Sequence, residues 1–183
     1  MSLVITDKAY NNVDLFSRLL KDRIIFINGE ITTESACDIQ AQLLYLASEN
    51  EDNPISIYIN SPGGDVYAGL GIIDTMNLVK PDIHTICIGE AFSMAAVILA
   101  VGNERSALEH SRIMIHQPWG GLIGTTSDVV NESLELKRCK DQLIEILSAH
   151  TYHNIYEVEK DLERDLYFTA NNAVSYGIID NIL

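Results

Sequence analysis

Short apolar segments alternate along the chain with longer segments of helical periodicity. The run RIIFI is nearly continuous in apolar residues, as in a strand covered on both faces, and ISIYIN alternates between apolar and polar positions. Strands are predicted at 23–27, 55–60, 84–89 and 112–116, and helices between them at 32–50, at 67–79 and directly after Ser93. This alternation predicts right-handed βαβ crossovers and an α/β fold with a largely parallel sheet.

The first predicted helix has a recognisable start and a recognisable buried face. Thr32 or Thr33 is the expected N-cap, because a threonine hydroxyl accepts a hydrogen bond from a free helical N–H group. The apolar face is predicted to carry Ala36, Ile39, Leu43 and Ala47.

After residue 124 the pattern changes to one long helix that reaches His150. Thr125 and Asp128 form a capping-box-like start. Such a helix is about 39 Å long, more than a compact domain of this size can cover, so part of it is expected to project and contact another subunit. Two short helices are predicted near the end of the chain, over 155–163 and over 170–176, the second closed by Gly177.

Composition and charge narrow the class of protein. The 183 residues, 47% of them hydrophobic and 21% charged, predict one globular domain over 1–183. A net charge of −14 argues against a nucleic-acid partner, since phosphate binding requires a basic face. The apolar run 95–101 is too short to span a membrane, and the first ten residues lack the features of a signal peptide. Three widely spaced cysteines predict reduced thiols in a cytoplasmic protein, with no zinc site.

Three places on the chain have the residue types that chemistry requires. NSPGGD, residues 60–65, follows a strand, and its glycines allow backbone N–H groups to approach an oxyanion, although a tight turn explains it equally. Ser93 lies between a strand and a helix, where it is either an N-cap or a nucleophile. His116 ends a strand and is either a structural residue or a base.

The residue pattern alone does not choose among these readings. Four other histidines are rival bases, at positions 84, 110, 150 and 153, and there are 26 carboxylate side chains from which an acid partner would have to be chosen. Serine hydrolase is therefore one interpretation among several at this point.

Several long blocks of the sequence resemble the ClpP-type proteolytic subunits of the Clp protease family of serine peptidases. The resemblance extends over nearly the whole chain. The blocks are VDLFSRLLKDRIIFINGEI, YINSPGGDVYAGLGIIDTM, ICIGEAFSMAAVILAVG, SRIMIHQPWGG and ERDLYFTANNAVSYGIID. The resemblance implies the crotonase/ClpP-like superhelix of β-β-α units, an N-terminal axial segment at 1–16, and a handle helix for ring–ring contact at 124–150.

The resemblance also implies roles for individual residues. Ser93 would be the nucleophile, His116 the general base and Asp165 the acid, with the backbone N–H groups of Gly64 and Met94 as the oxyanion hole. Arg164 would pair across the ring interface and couple assembly to the site. A docking surface for an ATPase is implied at Tyr58, Leu78, Ile86, Ile88, Leu108 and Leu183.

The implied partners follow from the same family. They are further copies of the chain in a heptamer stacked to a tetradecamer, or a second ClpP in a mixed complex, and an AAA+ unfoldase such as ClpX or ClpC that supplies polypeptide substrates. No cofactor is implied in this subunit, since ATP is used by the partner ATPase, and neither a nucleic acid nor a membrane is an expected partner.

A few positions depart from the family pattern. Asp65 places a carboxylate beside the Gly pair, Trp119 is bulkier than usual, Ser106 replaces an aromatic residue, and the N-terminal segment lacks an Arg-Gly element. These departures suggest a divergent paralogue with low activity alone. Two other functions are kept as alternatives: a structural subunit with an idle triad, and an acyl-CoA hydratase or isomerase of the crotonase type.

Overall fold

The computed structural model describes residues 4–6, 12–121 and 123–183. The first sixteen residues were expected to form an axial segment, of which 1–3 and 7–11 lie outside the described part. The elements in chain order are β1 Val4–Thr6, β2 Asn12–Asp14, α1 Leu15–Lys21, β3 Ile24–Asn28, α2 Thr33–Glu49, β4 Ile55–Ser61, α3 Val66–Leu78, β5 Ile83–Phe92, α4 Met94–Val101, β6 Glu104–Ala107, β7 Arg112–Ile115, α5 Thr126–His150, α6 Ile155–Asp161, β8 Leu166–Thr169, α7 Ala170–Tyr176 and β9 Asn181–Ile182.

The main sheet is parallel except at one edge. Strands β3, β4, β5, β6 and β9 lie side by side in that order, all parallel to their neighbours. The last part of β5 also pairs with β7 in parallel, and β7 pairs with β8 antiparallel. The predicted α/β class with a largely parallel sheet is confirmed.

The core lies where the central strands meet the helices. Ile55, Ile57 and Ile59 of β4 are fully buried, as the alternation in ISIYIN predicted. Every residue of α4 is buried, so this helix runs through the interior without a polar face. Its first turn is therefore held rigidly at the carboxyl end of β5, directly after Ser93.

The periodicity predicted the helices of the described residues except α1, and it predicted one buried position in α2 wrongly. In α2 the N-cap is Thr32, with a reciprocal hydrogen bond to Ser35, and the buried residues are Ala36, Ile39, Leu43 and Leu46. Leu46, not Ala47, completes the face, because the 3.6-residue turn alternates steps of three and four.

Only half of α5 packs against the rest of the described chain. The helix begins at the predicted cap, where Thr125 and Asp128 exchange hydrogen bonds. Its buried residues are Cys139, Leu143, Ile144 and Leu147, all in the second half. In the first half, Val130 and Leu134 are each about half exposed, at 52% and 51%. The predicted role of this helix in ring–ring contact stays a prediction.

Candidate active site

Ser93 occupies a strained turn between β5 and α4. Its backbone has φ 54° and ψ −123°, a conformation that non-glycine residues rarely adopt and that costs about 1–3 kcal/mol. The turn is held by a 2.8 Å hydrogen bond from the Ser93 N–H group to the Met114 carbonyl. The Ser93 side chain makes no capping hydrogen bond with α4. The hydroxyl is therefore free for another partner, and the helix-cap reading of this serine is wrong.

That partner is His116. Its Nε2 atom lies 2.8 Å from Ser93 Oγ, and its Nδ1 atom lies 3.1 Å from Asp165 Oδ1. His116 directly follows β7 and Asp165 directly precedes β8. Because Ile115 and Leu166 are paired in the antiparallel β7–β8 ladder, the next residues outward are brought side by side. The pairing of two strands thus joins residues that are far apart in the sequence.

The geometry of this row fixes one tautomer of the imidazole. With Nδ1–H donating to Asp165, Nε2 presents a lone pair that can accept the Ser93 O–H. His116 is mostly buried, with 18% of its side chain exposed, whereas 55% of the Asp165 side chain is exposed.

The rival histidines lie elsewhere. His150 Nδ1 is 2.8 Å from the Ile146 carbonyl, and the His153 ring stacks on Tyr176 with a centroid distance of 3.8 Å. His84 faces Glu104 at 3.7 Å, and His110 is exposed. None of the four is placed beside Ser93, so only His116 is positioned to accept its proton.

Two backbone N–H groups adjoin the serine. Gly63 and Gly64 have φ values of +91° and +152°, and Gly64 forms a parallel bridge with Ile31. Ile31 donates to the Gly63 carbonyl and accepts from the Asp65 N–H group, both at 2.8 Å. Within the described residues the N–H groups of Gly64 and Met94 have no acceptor. The first N–H groups of a helix are unpaired and partly positive, so Met94 offers a donor suited to an oxyanion.

The Gly63 position tolerates no side chain. An added Cβ would lie 2.8 Å from Ser93 Cβ and 3.1 Å from the Met94 nitrogen. This close approach places the Gly pair directly against the turn that carries Ser93. The signal in the sequence was the Gly pair itself, although a tight turn explained it equally well.

Asp65 caps the helix that follows the Gly pair. Its carboxylate accepts a 2.7 Å hydrogen bond from the Ala68 N–H group at the start of α3. The carboxylate beside the Gly pair therefore has a structural role, and the positive end of α3 offsets part of its charge.

Two cavities share part of their walls near the Gly pair. The first, of about 320 Å³, is lined by Ser93, His116, the Gly pair and Trp119 among others. The second, of about 360 Å³, lies between the start of α3 and the middle of α5 and contains Tyr67 and Glu135. Sequence reasoning identified neither Tyr67 nor Glu135, because their proximity depends on how α3 packs near α5.

The remaining predicted site residues differ in exposure, and one of them, Ile86, is buried, with 7% of its surface exposed. Arg164 is exposed and makes no ion pair with the described residues. Tyr58 and Ile86 are register partners on β4 and β5, and Leu183 N–H bonds to the Ala107 carbonyl. Leu78 is 76% exposed at the end of α3, outside the sheet. Ile88 and Leu108 are partly buried and exposed, respectively. Their docking role stays a prediction.

Neither a candidate metal-binding cluster nor a helix able to span a membrane is found among the described residues. There, no group of three or more His, Cys, Asp or Glu side chains is arranged to hold a metal ion. Among the same residues, no helix has both the length and the apolar character required to cross a bilayer.

Comparisons with known proteins identify the family of the chain. The family model for Clp protease matches residues 7–183. The chain is 49% identical over 172 residues to the ATP-dependent Clp protease proteolytic subunit of Borreliella afzelii (strain PKo). The alignment covers 93% of this chain and 87% of the relative. A family match over this length favours a peptidase over an acyl-CoA hydratase. The chain belongs to the Clp protease family.

Proposed function

We propose that this chain is a serine endopeptidase subunit of a compartmentalised ATP-dependent protease, with Ser93, His116 and Asp165 as its catalytic triad. The observation that carries the proposal is the row of hydrogen bonds from Ser93 Oγ to His116 at 2.8 Å and on to Asp165 at 3.1 Å. A serine hydroxyl is a weak nucleophile without such a base.

The reaction proceeds in two halves. Ser93 Oγ attacks the carbonyl carbon of the substrate peptide while its proton passes to His116 Nε2, and the carbonyl electrons move onto oxygen. Asp165 stabilises the imidazolium through Nδ1–H. The tetrahedral intermediate then collapses as the C–N bond breaks, and His116 gives its proton to the leaving amine. Water then attacks the acyl carbon while His116 takes its proton. The bond from this carbon to Ser93 Oγ breaks, His116 returns the proton to Oγ, and the carboxylic acid product leaves.

The oxyanion is held by the N–H groups of Gly64 and Met94. Each such donor is typically worth about 3 kcal/mol in the transition state, because it is fixed before charge develops. The strained turn at Ser93 supports this assignment, since strain at a single residue persists only where the surrounding structure enforces it.

The ATPase partner is part of the same proposal. Hydrolysis of a peptide bond by this chemistry consumes no ATP, so the ATP dependence in the relative's name is assigned here to a separate AAA+ unfoldase. That partner would supply unfolded chain, whereas short peptides would enter unaided. The proposed location is the cytoplasm.

Assembly into stacked heptamers is supported by α5. Its first half has no buried residue, and Val130 and Leu134 there are each about half exposed, so this part of the helix is available for contact with another copy. Asp165 is more than half exposed in a single subunit, and Arg164 beside it is available to a neighbour. Mixed rings with a second ClpP are an alternative, and the capping role of Asp65 gives one of the departures from the family pattern a structural reason.

Native mass measurement combined with a fluorogenic peptide assay tests the proposal. Fourteen copies of the 20.3 kDa chain give a particle of about 284 kDa. The wild type should form this particle and cleave the peptide, and Ser93→Ala should form the same particle without turnover. Turnover retained by Ser93→Ala would overturn the proposal. A large gain per site on mixing with a second ClpP would instead establish the mixed form.

A further inference from the structure

The second cavity adjoins the cleft that contains Ser93. The two spaces share Gly64, Val66, Pro118 and Trp119 in their walls. An extended peptide advances about 3.3 Å per residue and points alternate side chains to the same side. A peptide bound at Ser93 therefore has a side chain within reach of the second cavity.

The walls of the second cavity combine aliphatic and aromatic surface. Val66, Leu136 and Cys139 contribute the apolar part. Tyr67 and Trp119 contribute ring faces, and both are open to an incoming group, with 59% and 84% of their surface exposed. This surface suits a side chain with a long apolar stem.

The charged residues that line the second cavity are all acidic. Asp65, Glu132 and Glu135 line it, and none of the described lining residues is lysine or arginine. The cavity also belongs to a chain of net charge −14. A cation entering it would meet carboxylates and ring faces, both of which attract positive charge.

Glu135 is held in a defined position. Tyr67 Oη donates to Glu135 Oε1 at 2.9 Å, and Arg138 Nη1 donates to Oε2 at 2.6 Å. The hydrogen bond from Arg138, followed by that from Tyr67, lowers the pKa of Glu135, which therefore stays ionised. Hydrogen bonding to Cys139, and to a smaller extent to Glu135, raises the pKa of Tyr67. The phenol therefore stays neutral and can donate its proton in a hydrogen bond. Arg138 is 73% exposed and lies outside the cavity lining, and an exposed pair of this kind contributes little.

We propose that this cavity is a specificity subsite for a lysine or arginine side chain of the peptide substrate, with Glu135 and Tyr67 as its specificity-determining residues. The aliphatic stem lies along Val66 and Leu136, and the cationic end lies between the rings and the carboxylates. The inference rests on the proposed endopeptidase function and adds a substrate preference to it.

Quenched fluorescent peptides test this preference. Each of the three positions on either side of the cleaved bond is filled in turn with arginine, norleucine or glutamate, and kcat/KM is measured with the assembled protein. At one position, arginine should exceed glutamate by about tenfold, with norleucine between them. The ratio should shrink as salt is raised from low to physiological ionic strength, because the site is partly exposed.

Variants of the two proposed specificity-determining residues test whether the arginine preference depends on them. In Glu135→Gln and in Tyr67→Phe the arginine-to-norleucine ratio at that position should fall severalfold. Glu145→Gln is the matched control, because it removes the same charge from an exposed position on the same helix outside the cavity, and it should keep the ratio.

The outcomes separate this proposal from the one on which it rests. Cleavage of the peptides without a charge preference, or fastest cleavage with norleucine, overturns the subsite and leaves the endopeptidase intact. A preference that persists in both Glu135→Gln and Tyr67→Phe also overturns it. Failure to cleave any peptide in the set contradicts the endopeptidase itself.

Discussion

Replacement of Gly64 by alanine should remove one proposed oxyanion donor, the Gly64 N–H group, while Ser93, His116 and Asp165 stay in place. The φ value of +152° is one that residues with a side chain rarely adopt, and an added Cβ would lie 2.8 Å from both the carbonyl carbon and the nitrogen of Ile31. These are backbone atoms, so they cannot move aside as a flexible side chain would. The bridge between Gly64 and Ile31 must open, and the Gly64 N–H group must turn from its present direction.

The size of the effect follows from the lost donor. Removal of one oxyanion donor typically lowers kcat by about 10²–10³-fold, whereas KM changes little because the donor acts mainly in the transition state. The strain itself should lower the free energy of unfolding by about 1–3 kcal/mol. The assay is kcat and KM on a fluorogenic peptide, with native mass to confirm assembly and a denaturant curve to measure stability.

Gly29→Ala is the matched control for strain. Gly29 also has a positive φ of +80°, but an added Cβ would meet nothing within 4 Å. This variant should lose stability while keeping kcat within about threefold of the wild type. The reasoning is refuted if assembled Gly64→Ala retains wild-type kcat, or if both variants lose activity equally.

Three further outcomes are expected. Asp165→Asn should lower kcat by about 10⁴-fold with a nearly unchanged melting temperature, because the half-exposed carboxylate orients the base; a loss below tenfold would contradict its role. Asp65→Ala should lower the free energy of unfolding by about 1 kcal/mol by exposing the Ala68 N–H group, and Asp65→Asn by less; equal denaturation curves would contradict the cap. Hydrogen bonds from Arg105 lower the pKa of Asp180, so this carboxylate stabilises the fold above its unfolded pKa and loses that effect as the pH falls. The stability difference between wild type and Asp180→Asn should therefore shrink below about pH 4, as measured by denaturant unfolding; a difference that grows there would contradict the assignment.

Local patterns predicted most of the longer helices and strands but not their pairing. The period of apolar residues identified α2, β4 and α5, because a helix or strand face must be buried at a fixed spacing. The bridge between Ile31 and Gly64 joins two loops, and no local pattern marks it. The short strands β6, β8 and β9 lacked a run long enough to distinguish them from loops.

The site was predictable only in part for the same reason. Ser93 could be recognised as a residue between a strand and a helix, but its positive φ depends on close packing against Gly63. His116 could not be chosen over four other histidines by local spacing, and Asp165 is brought to it by the antiparallel pairing of β7 and β8. The family resemblance supplied these assignments, and the structure brings the three side chains into hydrogen-bond contact. Their catalytic roles stay a proposal.

Reaction with a serine-directed phosphonate probe, followed by intact and peptide mass measurement, tests the catalytic proposal most directly. The assembled wild type should gain one adduct per chain, located at Ser93. Ser93→Ala should gain none, and in His116→Ala labelling should slow by several orders of magnitude, since the hydroxyl then lacks its base. An assembled particle that cleaves peptides but carries no adduct at Ser93, or one labelled equally fast without His116, would contradict the account.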